Sequence, residues 1–150
     1  MSIFRWVLAI ILAVFFIFMG TQKLIAPSPV FQYMAVHSGI SLFEPGVRMA
    51  TGLAEISAAI LIILPRMRVY GALLALAVLG GALTFHLSPW LGINAPVAFS
   101  AACQAAQHCD YASDSSYVKS PMLFAMALSF FFASLGLLFV EKRAKSKKIG

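Results

Sequence analysis

Long apolar runs dominate the chain, each broken by proline or by a short polar group, and they cover residues 4–24, 45–64, 69–87 and 121–140. Each run is close to the ~20 residues that an α-helix needs to cross a hydrocarbon core ~30 Å thick. The expected fold is therefore all-α, one domain over residues 1–150: a four-transmembrane-helix bundle with a long outer loop between helices 3 and 4. Pro27 and Pro29 stop the first span, because proline cannot continue the backbone hydrogen-bond ladder, and Ser28 to Phe43 is expected to be a loop. Pro45 suits the first turn of the second span and Pro65 ends it. Only Arg66, Met67 and Arg68 separate the second span from the third, so these two are antiparallel neighbours. A cleaved secretory signal is the weaker reading of the first run, since no small-x-small site follows it.

Composition agrees with the runs. The chain is 61% hydrophobic and 11% charged, with a mean hydropathy of +0.92, against about a quarter charged in soluble domains. No soluble catalytic domain fits beside four spans, and the first partner is the lipid bilayer. Eight of the 11 basic residues fall on one side of a four-span path: Arg5, Arg66, Arg68, Lys142, Arg143, Lys145, Lys147 and Lys148. By the positive-inside rule that side is the cytoplasm, which puts both termini there and the protein in the cell inner membrane as a multi-pass chain. The net charge of +6 then reports topology and attraction to anionic head groups, with no nucleic acid involved.

The same topology carries Cys103 and Cys109 to the outer, oxidising face, where a disulfide is expected. Asn94-Ala95-Pro96 followed by alanines reads as a capped short helix, which must end before Cys109 for the bridge to close. A redox-active pair lacks the C-x-x-C spacing, and a site built from Cys103, His108 and Cys109 lacks a fourth ligand, so no metal is assigned. His37 reads as a solvated loop histidine.

Ionisable residues inside membrane spans are expensive and mark function by default. Lys23, Arg48, Glu55 and His86 are such residues. Arg48 and Glu55 are seven positions apart on one helix face, about 10 Å along the axis, with Gly52 and Ala59 on the same stripe. Side chains lean toward the helix amino terminus, so a direct Arg48–Glu55 pair is borderline and partners on other helices compete with it. His86 tops a stripe of Ala82, Leu79, Ala75 and Ala72, and Lys23 shares a face with Gly20, Phe16 and Leu12. If they turn inward, these faces of three helices gather the four residues in the outer half of the bundle. Lys23 and Arg48 could instead snorkel to head groups, and His86 could bond a backbone carbonyl. Glu55, nearest mid-span, must pair, hold a proton or serve.

The pattern Phe18-x-Gly20-x-x-Lys23-Leu24 with Pro27, then Gly52-x-x-Glu55, then Gly71-Ala72, Gly81-Ala82 and His86, resembles the DoxX and DoxX-like membrane proteins over about residues 10–90. The resemblance implies a four-helix membrane bundle, and its founding members are small subunits of a thiosulfate:quinone oxidoreductase. The family's recurring polar positions correspond to Lys23, Glu55 and His86. The long loop with two cysteines departs from the shortest members.

The leading functional reading is a small membrane protein associated with redox chemistry that binds a quinone in the outer half of the bundle. Its catalytic candidates are Glu55 and His86, and its ligand-binding candidates are Lys23, Arg48, Glu55 and His86. A quinone needs an apolar slot, donors at its carbonyl oxygens and a group to manage protons. No other cofactor is assigned, and electrons would come from a protein partner, making the chain an oxidoreductase subunit linked to quinone. The alternative is a non-enzymatic assembly or chaperone-like subunit whose polar cluster only fixes helix packing. A transport path is disfavoured because the inner halves of the spans look apolar.

Overall fold

The structure, a computed structural model, describes residues 2–106 and 109–146. His108, Lys147 and Lys148, which enter the sequence-based expectations, lie outside the described residues. Helix α1 covers Ser2–Ile25, α2 Pro29–Ser38, α3 Gly46–Ile63, α4 Arg68–His86, α5 Ala101–Ala105 and α6 Met122–Ser146. Strands β1 (Ala95–Phe99) and β2 (Tyr117–Ser120) form an antiparallel pair between α4 and α6. Four segments among the described residues are long and apolar enough to cross a membrane: Ile3–Ile25, Ser41–Ile63, which joins a short 3₁₀ turn to α3, Arg68–His86 and Met122–Ala144.

These four helices make a bundle in which α1 packs most extensively on α3, α3 on α4 and α4 on α6, while α1 and α6 touch less. Leu12, Phe16, Ala59, Ile62, Ala72, Ala75 and Leu137 form its fully buried centre. Small residues there let helices approach closely, which is how packing holds helices together where lipid is as apolar as leucine. At Gly71 a Cβ would lie 2.6 Å from the backbone nitrogen of Ile62, so the tight α3–α4 hairpin requires glycine. Outward-facing positions are also apolar: Val14 is 62% exposed and Phe132 61%. That inversion is what a bilayer stabilises and water would not.

Several expectations are corrected. The fold is not purely helical, and residues 87–121 do not form a plain loop: they hold β1, α5, β2 and a short 3₁₀ turn. Residues 28–43 are not a loop either, since α2 starts with Pro29 in its first turn, where the missing N–H costs nothing. It buries Phe31, Tyr33 and Met34 against a second apolar cluster containing Phe43, Leu91, Ala95 and Tyr117. Asn94 caps no helix, because Ala95–Phe99 pairs with Tyr117–Ser120 instead. Pro96 is tolerated there because both strands of a two-stranded sheet are edges, and the register shifts between Pro96 and Ala98. The short helix begins at Ala101, with the Ser100 hydroxyl accepting from the Cys103 amide. It ends early enough for the expected Cys103–Cys109 disulfide, which is present.

The last helix runs past residue 140 to Ser146, so Glu141 belongs to it and not to a loose tail. Glu141 and Arg68 are both 1% exposed. Arg68 Nη1 donates to Glu141 Oε1 at 3.0 Å, while Arg5 donates from Nε to the same oxygen at 2.9 Å and from Nη2 to Oε2 at 2.5 Å. Arg68 Nε also donates to the Ile62 carbonyl at 2.8 Å, closing the end of α3, and its guanidinium lies 4.3 Å from the Trp6 ring centroid. One carboxylate thus ties α1, α4 and α6 together. Arg68, expected in the short link between the second and third spans, is the buried first residue of α4, and the half of the bundle expected to be apolar carries an ion cluster.

Candidate functional site

The opposite end of the bundle, under α2 and the sheet, holds the predicted polar residues. Gly20 of α1 lies against Gly52 of α3: a Cβ on Gly20 would sit 2.9 Å from the Gly52 carbonyl oxygen, and one on Gly52 3.0 Å from that of Gly20. The two helices run antiparallel, so Lys23 stands beside Gly52 and Glu55 beside Gly20: a Cβ on the glycine would lie 3.1 Å from Lys23 Cβ and 3.3 Å from Glu55 Cβ, respectively. Lys23 Nζ then donates to both Glu55 oxygens at 2.8 Å. The Lys23 and Glu55 side chains are only 14% and 7% exposed, so the pair is largely removed from water.

Arg48 does not pair with Glu55. Its Nη1 donates to the carbonyls of Lys23 and Ala26 at the end of α1, and its Nε donates to Glu44 at 2.6 Å. The last carbonyls of a helix have no partner within the helix, and a guanidinium supplies the missing donors. Arg48 therefore fastens α3 to the end of α1, next to the Lys23–Glu55 pair but behind it.

His86 closes α4. Its Nδ1 lies 3.1 Å from the Gly92 carbonyl oxygen, which can only accept, so Nδ1 carries the proton and Nε2 presents a lone pair when the ring is neutral. Nε2 has no hydrogen bond to a described residue. The ring stands edge-on to Phe124, with centroids 5.7 Å apart.

Lys23, Glu55 and His86 all line one cavity of about 800 Å³. The rest of its wall is mostly apolar: Phe15 and Phe18 of α1, Phe31 and Met34 of α2, Ala54 of α3, Phe85 of α4, Pro96 of β1 and Met126 of α6 contribute. Thr21, Gln22 and Thr51 add polar groups. Size and lining are those of a site for a small molecule, mostly apolar with few convergent polar groups. Arg48 is not among the lining residues. The cavity-facing α2 could not be anticipated from hydropathy, whereas Gly81, which also lines it, belongs to the Gly81-Ala82 pattern already singled out.

Above the cavity, α2 is clasped to the β-hairpin by charge and aromatic contacts. Lys119 Nζ donates to Asp114 at 2.9 Å and to the Tyr33 hydroxyl at 3.1 Å. His37, on a helix and not a loop, stacks on Tyr33 at 3.8 Å with Nε2 3.9 Å from Asp114. The hydrogen bond from Lys119, with a further one from Tyr33, holds the Asp114 carboxyl below its ordinary value. Tyr117, whose hydroxyl donates to the Tyr111 carbonyl at 3.0 Å, is pushed up to about 12 chiefly by burial. No cluster of three metal-ligating side chains occurs among the described residues, and both cysteine sulfurs are taken up in the disulfide.

In comparison with known proteins, the model of the DoxX-like family matches residues 7–106. No curated protein and no solved structure matches the chain.

Proposed function

Given that the chain belongs to the DoxX-like family and is a multi-pass membrane protein, we propose that it binds a quinone-type amphipathic molecule in the cavity beneath α2, as the membrane-embedded part of a redox system. The observation that carries this reading is the convergence of Lys23, Glu55 and His86 on one mostly apolar cavity of about 800 Å³. The residues fit such a group by type and placement. An apolar wall takes a ring, Lys23 and the Gln22 amide are donors for a carbonyl oxygen, and His86 Nε2 accepts from a hydroxyl.

A bound quinone supplies a two-electron, two-proton acceptor, with the electrons delivered by a partner protein. The chain's own residues do the rest. Glu55 holds the Lys23 amine in place through two hydrogen bonds, Lys23 orients the carbonyl end, and His86 takes or returns a proton at Nε2 while the Gly92 carbonyl fixes its tautomer. Water is kept from the site by Phe31 and Met34 of α2.

We place the protein in the inner membrane with both termini in the cytoplasm, because Arg5, Arg66, Arg68 and the Lys142–Arg143 region share one end of the bundle. A reporter fused after Gly150 is then active only in the cytoplasm, and one inserted near Ser113 only outside. The reverse pattern overturns the orientation.

One observation favours the second reading, an assembly or chaperone-like subunit: Glu55, Lys23 and Arg48 are already bonded to one another's helices, which fixes packing without a ligand. Native mass spectrometry of the gently extracted protein decides. A co-purifying quinone supports the binding role, and a stoichiometric protein partner with an empty cavity supports assembly.

A further inference from the structure

The cavity is not the only recess in the bundle. A groove of about 410 Å³ lies on the lipid-facing surface, lined by Ile10, Ile11, Val14, Phe15, Phe18 and Phe130. Phe15 and Phe18 also line the cavity, so the groove and the cavity share a wall. The groove has a firm floor, because Phe15 of α1 stacks on Phe130 of α6 with centroids 3.6 Å apart and planes within 9°. Phe18 lines the cavity yet is 56% exposed, which marks the junction as open to the bilayer. From Phe18 back to Ile10 the groove follows α1 for about 12 Å, away from the polar end.

We propose that this groove holds the apolar tail of the molecule whose polar head occupies the cavity, so that the ligand is a long-tailed, membrane-dissolved species and not a short water-soluble ring. The inference rests on the binding role proposed above and adds the class of ligand to it. The division of chemistry carries it: every donor and acceptor lies on the cavity side of Phe15 and Phe18, and the groove has essentially no polar surface. An amphipath whose head meets Lys23 and His86 would lay its tail along Val14 and Ile10, sliding between helix and lipid without leaving hydrocarbon. Release would need no passage through the clasp of α2 and the sheet.

The test uses the full chain in lipid nanodiscs and two probes: a benzoquinone bearing a ten-carbon alkyl tail, and the same ring without the tail. Binding is expressed per mole fraction of probe in the lipid, so that partitioning cancels. The parent is expected to hold the tailed probe about tenfold tighter or more, since each methylene packed in the groove adds to binding. Val14→Trp fills the groove from an exposed position and is expected to erase that preference while leaving the tail-less probe unchanged. Ile11→Trp serves as a second filling variant if the first melts below the parent. Gly81→Leu, where a Cβ meets nothing within 4 Å, fills the cavity and should remove both probes. Equal affinity for both probes in the parent, or a tail preference untouched by either tryptophan, overturns the groove assignment and leaves the cavity reading standing. Failure of the parent to bind either probe overturns both.

Discussion

Lys23 and Glu55 meet at 2.8 Å across the α1–α3 contact because glycine stands at both Gly20 and Gly52, one turn earlier on each helix. The pair is formed by backbone approach, and its two side chains then face the cavity that His86 also lines.

Removing one partner of this pair is therefore expected to strand the other. Glu55→Gln should lower stability by about 3 kcal/mol, because an unpaired charge in a poorly solvated site costs more than the pair gives. Adding Lys23→Met to it should recover most of that loss while ligand binding stays absent. Thermal melting in detergent beside a binding assay separates the effects. Full binding by the folded double variant would remove both residues from the site.

The ion cluster at the other end should be structural. Glu141→Gln leaves Arg5 and the buried Arg68 without their shared carboxylate, with an expected cost of about 3 kcal/mol and no change in ligand affinity of the folded fraction. Melting curves and binding isotherms on the same sample check both halves of the statement.

Cys103 and Cys109 close a short loop that precedes β2. Thiol labelling under denaturing conditions should find both blocked until a reductant is added. Because the loop is short, replacing both by serine should cost at most about 2 kcal/mol in the chain-entropy account. The loss should show as faster amide exchange in the hairpin, with the spans unaffected.

The clasp above the cavity should weaken in acid. The folded-state value of Asp114 is depressed, so its bond to Lys119 contributes above the unfolded carboxylate pKa of about 4 and is lost as pH falls through the lower folded value. His37 Nε2 faces the same carboxylate at 3.9 Å. Amide exchange in α2 should rise only in that acid window. Asp114→Asn should remove the pH step, and a step that persists in this variant would assign it to another group.

The sequence by itself determined the four membrane-crossing helices, the short α3–α4 hairpin and the residue types of the site. Those follow from composition and from where proline interrupts hydrocarbon-length runs, which is local information. Lys23, Glu55 and His86 were legible for the same reason, since an ionisable group inside such a run is conspicuous. The tertiary structure alone decided who pairs with whom. Glu55 takes Lys23 and not Arg48 because the Gly20–Gly52 approach is closer than a seven-residue step along one helix. Nothing local marks Arg68 and Glu141 as partners, 73 positions apart in the chain, and only the meeting of three helix ends reveals them as a buried pair. The helix at Pro29–Ser38 and the strand at Ala95–Phe99 were hidden likewise, because neither segment has a strong pattern of its own. Each is stable through the apolar cluster they build together over the cavity.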